Sequence, residues 1–176
     1  MKTLPNWLLI SGSGRNVGKT TLICSIIHQL SGLNPVAVKI SSHLHPLPEN
    51  SDWIIRSEDF SVIRETNINS KDSSKMLQSG AGTVFYAQGP DSRLPEILSA
   101  IYKYTENRPT ICESGGLRRF IVPGVYLLIK GDENQLIPGI ENLEILADKV
   151  LKHTDLKPGE FEKKLIYKNN CWIIKS

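Results

Sequence analysis

The chain has 176 residues, 40% hydrophobic and 22% charged, with a net charge of +3. That length can bury a substantial core without disulfides or a structural metal, and the composition excludes disordered and fibrous classes. No apolar run approaches the roughly 18 residues that span a bilayer, and Trp7–Ile10 is too short for a signal peptide, so a cytoplasmic protein is expected.

Cys24, Cys112 and Cys171 are scattered, odd in number and without Cys-x-x-Cys spacing, which excludes a disulfide framework or a zinc site and leaves packing thiols. Residues 149–176 hold 7 lysines against 3 acidic residues. These lysines are dispersed and no arginine joins them, so a solvated face is expected and nucleic-acid binding is not.

In chain order, Trp7–Ser11 is an apolar strand of the kind buried on both faces. Thr20 to about Leu30 is a helix whose Leu22, Ile23, Ile26, Ile27 and Leu30 form one stripe, ended by Gly32. Pro35–Ile40 is a second strand, parallel to the first. Ser41–Ser51 is polar and broken by Pro46 and Pro48, hence a loop at the carboxyl end of that strand. Trp53–Arg56 and Phe60–Glu65 read as two short antiparallel strands. Asp72–Gly80 reads as a short helix with Asp72 at its N-cap.

Thr83–Ala87 is another strand. Asp91 or Ser92 then caps a helix reaching about Thr105, with Leu94, Ile97, Leu98, Ile101 and Tyr102 inward. Pro109–Cys112 is a short strand ending at Glu113-Ser114-Gly115-Gly116. Gly124 precedes the strand Val125–Lys130, Ile140–Leu146 is helical and Lys149–Leu151 is a strand. The tail holds a helix after Pro158 and a strand at Trp172–Lys175. No repeat or linker interrupts the chain, so one domain over residues 1–176 is expected. The alternation predicts an α/β fold, a three-layer arrangement with a mostly parallel central sheet flanked by helices.

The stretch Leu8–Thr21 carries the chemistry: an apolar strand, a glycine-rich turn, then Gly-Lys-Thr-Thr opening a helix. Phosphate binding needs that order, because backbone N–H groups and a helix N-terminus converge on one anion. Gly14, Arg15, Asn16, Val17, Gly18, Lys19, Thr20 and Thr21 are the expected nucleotide-binding residues. Lys19 would reach the terminal phosphates and Thr20 would be a Mg²⁺ ligand. The spacing departs from G-x-x-x-x-G-K-T, since Ser13 stands where its first glycine falls and Gly12 and Gly14 flank it.

Glu113 follows a short strand and precedes two glycines, which suits it to share Mg²⁺ with Thr20 and phosphate oxygens. Lys39 closes the second strand as an isolated charge, facing the phosphates as a second catalytic cation beside Lys19. His43 and His45 follow in the loop, either as substrate or partner contacts or simply as loop histidines. Gly115 and Arg118 offer the same choice between an anionic substrate and an ordinary turn, with Arg118-Arg119 able to make bidentate contacts or sit at the surface.

The loop with Val17 before Gly18, Lys39 ending the second strand, and Glu113-Ser114-Gly115-Gly116 together resemble dethiobiotin synthetase. Lys39, His43 and His45, with Lys71-Asp72-Ser73…Ser79-Gly80-Ala81…Val84, resemble MobB, the accessory protein of molybdopterin-guanine dinucleotide synthesis. Both belong to the SIMIBI class of P-loop NTPases. The resemblance implies a cytoplasmic, Mg²⁺-dependent protein that binds and hydrolyses GTP or ATP in molybdenum cofactor biosynthesis. It leaves two alternatives: an ATP-dependent ligase or kinase acting on a small acid, or a non-catalytic nucleotide-dependent module that serves a partner protein or forms a homodimer. MobB lacks the double glycine and arginine pair, and no diaminopelargonate-binding feature can be placed. Ile129-Lys130-Gly131-Asp132 is similar to the guanine signature Asn-Lys-x-Asp without its Asn, which makes Asp132 a base-reading candidate and leaves guanine and adenine even.

Overall fold

The computed structural model describes residues 1–14, 16–131, 140–157 and 159–175. The elements are β1 (Lys2–Gly12), α1 (Lys19–Gln29), β2 (Val36–Ser41), β3 (Asp52–Arg56), β4 (Ser61–Arg64), α2 (Asp72–Gln78), β5 (Thr83–Gln88), α3 (Leu94–Tyr102) and β6 (Thr110–Glu113). There follow β7 (Ile121–Lys130), α4 (Ile140–Ile145), β8 (Lys149–Lys152), β9 (Leu165–Lys168) and β10 (Cys171–Ile174).

Eight strands form one sheet in the order β3-β4-β5-β2-β6-β1-β7-β8. It is parallel from β5 to β8, and the β3–β4 and β4–β5 pairs are antiparallel. Because side chains alternate along a strand, each central strand feeds both faces. Leu9, Val38, Phe85 and Cys112 meet Leu94, Ile97, Leu98 and Ile101 of α3 on one face. Leu8, Ile10, Ala37, Ile111 and Leu127 meet Leu22, Ile23, Ile26 and Ile27 of α1 and Met76 of α2 on the other. Burying each such large side chain contributes about 1.5–3 kcal/mol, which is what holds α1 and its preceding loop against the sheet.

The topology places β6 between β1 and β2, so the strand that arrives late in the chain separates the first two. Glu113, the last residue of β6, is in register with Ile10 on one side and Lys39 on the other. The carboxyl ends of β1, β2 and β6 therefore open onto one crevice, where α/β sheets bind ligands.

Several boundaries differ from the sequence expectation. β1 and β7 start earlier than Trp7 and Val125, and Gly124 lies inside β7. Their pairing skips register between Leu4 and Leu8, so Pro5, which lacks an N–H, sits at the irregularity where no ladder bond is asked of it. A Cβ at Gly124 would lie 2.0 Å from the Pro5 carbonyl oxygen. Asp91 does not cap a helix: Asp91–Arg93 is a 3-10 turn, its carboxylate pairs with Arg119, and α3 starts at Leu94. Likewise α2 begins at Asp72 itself, with Lys71 at the N-cap position and no side-chain cap.

The tail is a hairpin, and the helix expected after Pro158 is only the 3-10 turn Glu162–Lys164. Asn169 and Asn170, at φ 53° and 58°, make the two-residue turn that asparagine tolerates. Trp172 of this hairpin is buried, and its indole N–H donates to the Asn6 carbonyl at 3.0 Å, tying the tail to the bend in β1. All three cysteines are free. No helix among the described residues is long and apolar enough to cross a membrane.

Gly124→Ala should destabilise the protein by about 3 kcal/mol or more in urea unfolding, because the clash is with backbone that has nowhere to go. Gly115→Ala, where an added Cβ meets nothing within 4 Å, should change it by less than about 0.5 kcal/mol.

Candidate functional site

The loop between β1 and α1 is shaped by close approach. A Cβ at Gly12 would lie 2.7 Å from a Val17 methyl and 2.9 Å from Lys19 Cδ, so glycine is what lets the loop fold back over the strand end. Asn16 and Gly18 both take left-handed backbone, at φ 57° and 89°. Ser13 is fully buried; its N–H donates to Ile129 O at 2.9 Å and its hydroxyl accepts from Gly131 N–H at 2.8 Å. The residue that breaks the usual glycine spacing is thus a stitch between the loop and the end of β7, a bond that glycine could not make.

A cleft of ≈ 520 Å³ lies in front of this loop, lined by Asn16, Val17, Gly18, Lys19, Thr20, Thr21, Lys39, Asp72, Lys75 and Glu113. Thr20 Oγ1 donates to Glu113 Oε2 at 3.1 Å, and Lys39 Nζ pairs with Glu113 Oε1. The Glu113 side chain is only 4% exposed, so these two partners are what offset the cost of burying its charge. Lys19 Nζ donates to Gly14 O at 2.7 Å. Burial holds the Lys19 ammonium below the ordinary lysine value, only partly countered by Glu113.

Asp72 forms the far wall, 3.0 Å from Lys75 Nζ and 3.8 Å from Lys39 Nζ. Partial burial would raise its carboxyl, but Lys75, Lys39 and Thr20 outweigh that and hold it below the ordinary aspartate value. Asp72 and Lys75 were absent from the site read in the sequence. The signal was there, because an Asp and a Lys three residues apart share one face of a helix. What placed that face in the cleft was the packing of α2 beside α1.

A second cleft of ≈ 460 Å³ continues beyond Lys39 and Asp72, with His45, Pro46, Leu47 and Tyr86 on its walls. The loop carrying His45 is pinned at the end of β5: Gln88 Oε1 accepts from His45 N–H and Gln88 Nε2 donates to His45 O, both at 2.9 Å. His43 lines neither cleft; its backbone closes a turn with the Ser41 hydroxyl.

Gly115 and Arg118 also fall outside both clefts. Arg118 donates to Ile121 O at 2.9 Å and stacks over Tyr126, because the 3-10 turn Leu117–Arg119 carries the chain away from the strand ends toward β7. Arg15 and Asp132 lie outside the described residues. Among the described residues no group of three or more His, Cys, Asp or Glu side chains is placed to hold a metal ion.

No protein-family model matches the chain, and no curated protein matches it. Among solved structures the chain is similar to LpxK from Aquifex aeolicus, a protein crystallised in complex with ATP, with a TM-score of 0.54 and 15% identity. The match covers 92% of this chain and 52% of LpxK, so the chain spans about half the length of that structure. At this identity the likeness is one of fold, and it agrees with the α/β architecture of a large, mostly parallel central sheet flanked by helices.

Removing Lys39 alone would leave the Glu113 carboxylate buried against one hydroxyl. Lys39→Met should cost about 3 kcal/mol by chemical denaturation, and adding Glu113→Gln should recover most of it. Asp72 stabilises the fold at pH values above the ordinary 3.8. That contribution is lost as pH falls through its lower folded value, so melting of Asp72→Asn between about pH 5 and 2 should fall less steeply than wild type.

Proposed function

We propose that the chain is a Mg²⁺-dependent P-loop NTPase that binds a nucleoside triphosphate at the carboxyl ends of β1, β2 and β6. The observation that carries this is the contact between Thr20 Oγ1 and Glu113 Oε2 at 3.1 Å, in a cleft that Lys19 and Lys39 also line. It joins the first turn of the phosphate-loop helix to the end of the neighbouring strand.

Lys19 and the backbone amides from Gly14 to Thr21, Arg15 among them, hold the β and γ phosphates. A buried ammonium is disfavoured until an anion joins it, which is the state a phosphate relieves. Two oxygen donors of this kind suit a hard cation that keeps several waters and takes phosphate oxygens for the rest, so Thr20 and Glu113 fit Mg²⁺. Bound there, Mg²⁺ supplies neutralisation of charge on the phosphate oxygens. Lys39, already between Glu113 and Asp72, turns to the γ-phosphate as the second cation. Phosphoryl transfer is mostly positioning and electrostatics, so hydrolysis needs no protein nucleophile.

Within that class we favour a cytoplasmic, MobB-like role in molybdopterin-guanine dinucleotide synthesis. It is supported by the Lys71-Asp72-Ser73 block, whose Asp72 stands in the cleft wall. A second reading is favoured by the adjoining cleft at His45 and Tyr86: transfer from ATP to a small acid seated there, as in dethiobiotin synthetase. The two differ in one observable, because the second requires turnover to accelerate when the acid is added. A nucleotide-dependent module serving a partner or a second copy would bind and turn over negligibly alone.

Lys19→Met should abolish thermal stabilisation by Mg²⁺–nucleotide, which in the wild type is worth about 2.7 kcal/mol at a hundredfold excess over Kd. The folded-state value of Lys19 lies below its unfolded one, so its charge costs the free protein stability at neutral pH. The melting temperature of the ligand-free variant should therefore be no lower than wild type. Nucleotide stabilisation that survives Lys19→Met would overturn the phosphate site.

A further inference from the structure

Another recess opens on the first turn of α1, between that helix and the segment after β8, with a volume of ≈ 180 Å³. Gly18 and Thr21 line both it and the phosphate cleft. Its broad walls are apolar: Leu22 from α1, and Leu156 and Phe161 from the segment after β8. The walls meet at the loop itself, where Leu156 Cδ1 lies 3.3 Å from the Cβ position of Gly18. A whole drug-sized ligand takes about 300–1,000 Å³, so this pocket suits one flat part of a ligand whose remainder lies next door.

The polar groups of the pocket are unequal. His153 and Lys157 are exposed, whereas Glu162 is 3% exposed. Its Oε2 is buried and has no hydrogen-bond partner among the described residues. A buried carboxylate without a partner is costly, and it can only accept, so the group that satisfies it must bring N–H or O–H donors.

We propose that this pocket takes the base of the bound nucleotide and that Glu162 selects guanine. The assignment rests on the phosphates occupying the neighbouring cleft. Guanine presents N1–H and the 2-amino group side by side, two donors for two carboxylate oxygens. Adenine presents one amino group beside an unprotonated ring nitrogen, which would face the second oxygen lone pair to lone pair. The apolar walls hold the faces of either ring, and of the polar residues on the walls, Thr21, Ser25, His153, Lys157 and Glu162, only Glu162 is buried, so discrimination falls to it.

The test is a set of thermal-shift titrations of wild type and Glu162→Gln with Mg²⁺ and GTP, ATP or inorganic tripolyphosphate. Wild type should be half-saturated by GTP at about a tenfold lower concentration than by ATP. Glu162→Gln should raise the GTP concentration needed by about tenfold and leave ATP and tripolyphosphate unchanged. Equal response to GTP and ATP, a preference for ATP, or a GTP response untouched by the substitution overturns the base assignment, while tripolyphosphate binding keeps the phosphate site standing. Loss of all three ligands in wild type overturns both. Where Glu162→Gln does not fold, Glu162→Met is titrated in its place, and the same tenfold loss confined to GTP is required of it.

Discussion

A carboxylate that is almost fully buried at the end of a strand survives only where cations and donors surround it, and Glu113 is in that position. Thr20 reaches it from the first turn of α1 and Lys39 from the end of β2. Three elements distant in sequence are therefore locked to one charge. The phosphate loop, the second strand and the inserted strand β6 cannot separate without stranding it. In the proposed function the same three groups engage a Mg²⁺-bound triphosphate, so on that reading the contacts that hold the free cleft together are the ones a ligand rearranges. Lys19 adds to this tension, since its burial disfavours its own charge until an anion is present.

The loop is braced from its other side by Ser13, which ties it to Ile129 and Gly131 at the end of β7. β7 is in turn fastened through its irregular pairing with β1, where Gly124 admits the Pro5 carbonyl and Trp172 takes the Asn6 carbonyl. The C-terminal hairpin thus supports the strand from which the phosphate loop springs. Its neighbouring 3-10 turn brings Glu162 to the same helix turn that the loop opens. A segment without functional features as a sequence becomes a wall of the recess beside the loop by returning over α1.

Much of the fold was legible because it depends on local rules. Leu22, Ile23, Ile26 and Ile27 repeat at helical spacing, and Val36, Ala37 and Val38 run together as a doubly buried strand does. The misreadings have local causes as well. The strands were read as starting at Trp7 and Val125, after Pro5 and Gly124, but each of these two residues sits inside its strand, where the β1–β7 ladder is already interrupted. Asp91 and Asp72 look like helix caps, but their carboxylates are drawn to Arg119 and to Lys75 and Lys39. A side chain that can cap a helix can equally pair with a cation from elsewhere, and only the neighbours decide which.

By itself the sequence determined the glycine-rich loop between strand and helix, the alternation of strands and helices, and the candidacy of Lys19, Thr20, Lys39 and Glu113, because motif spacing and side-chain periodicity are properties of adjacent residues. The tertiary structure alone decided that β6 lies between β1 and β2, which puts Glu113 between Thr20 and Lys39. It also decided that Asp72 and Lys75 face the cleft, that Arg118 turns away, and that Glu162 ends beside Gly18 and Thr21. Each of these is an adjacency between residues far apart in the chain, set by which hydrophobic faces bury against one another and not by any local pattern.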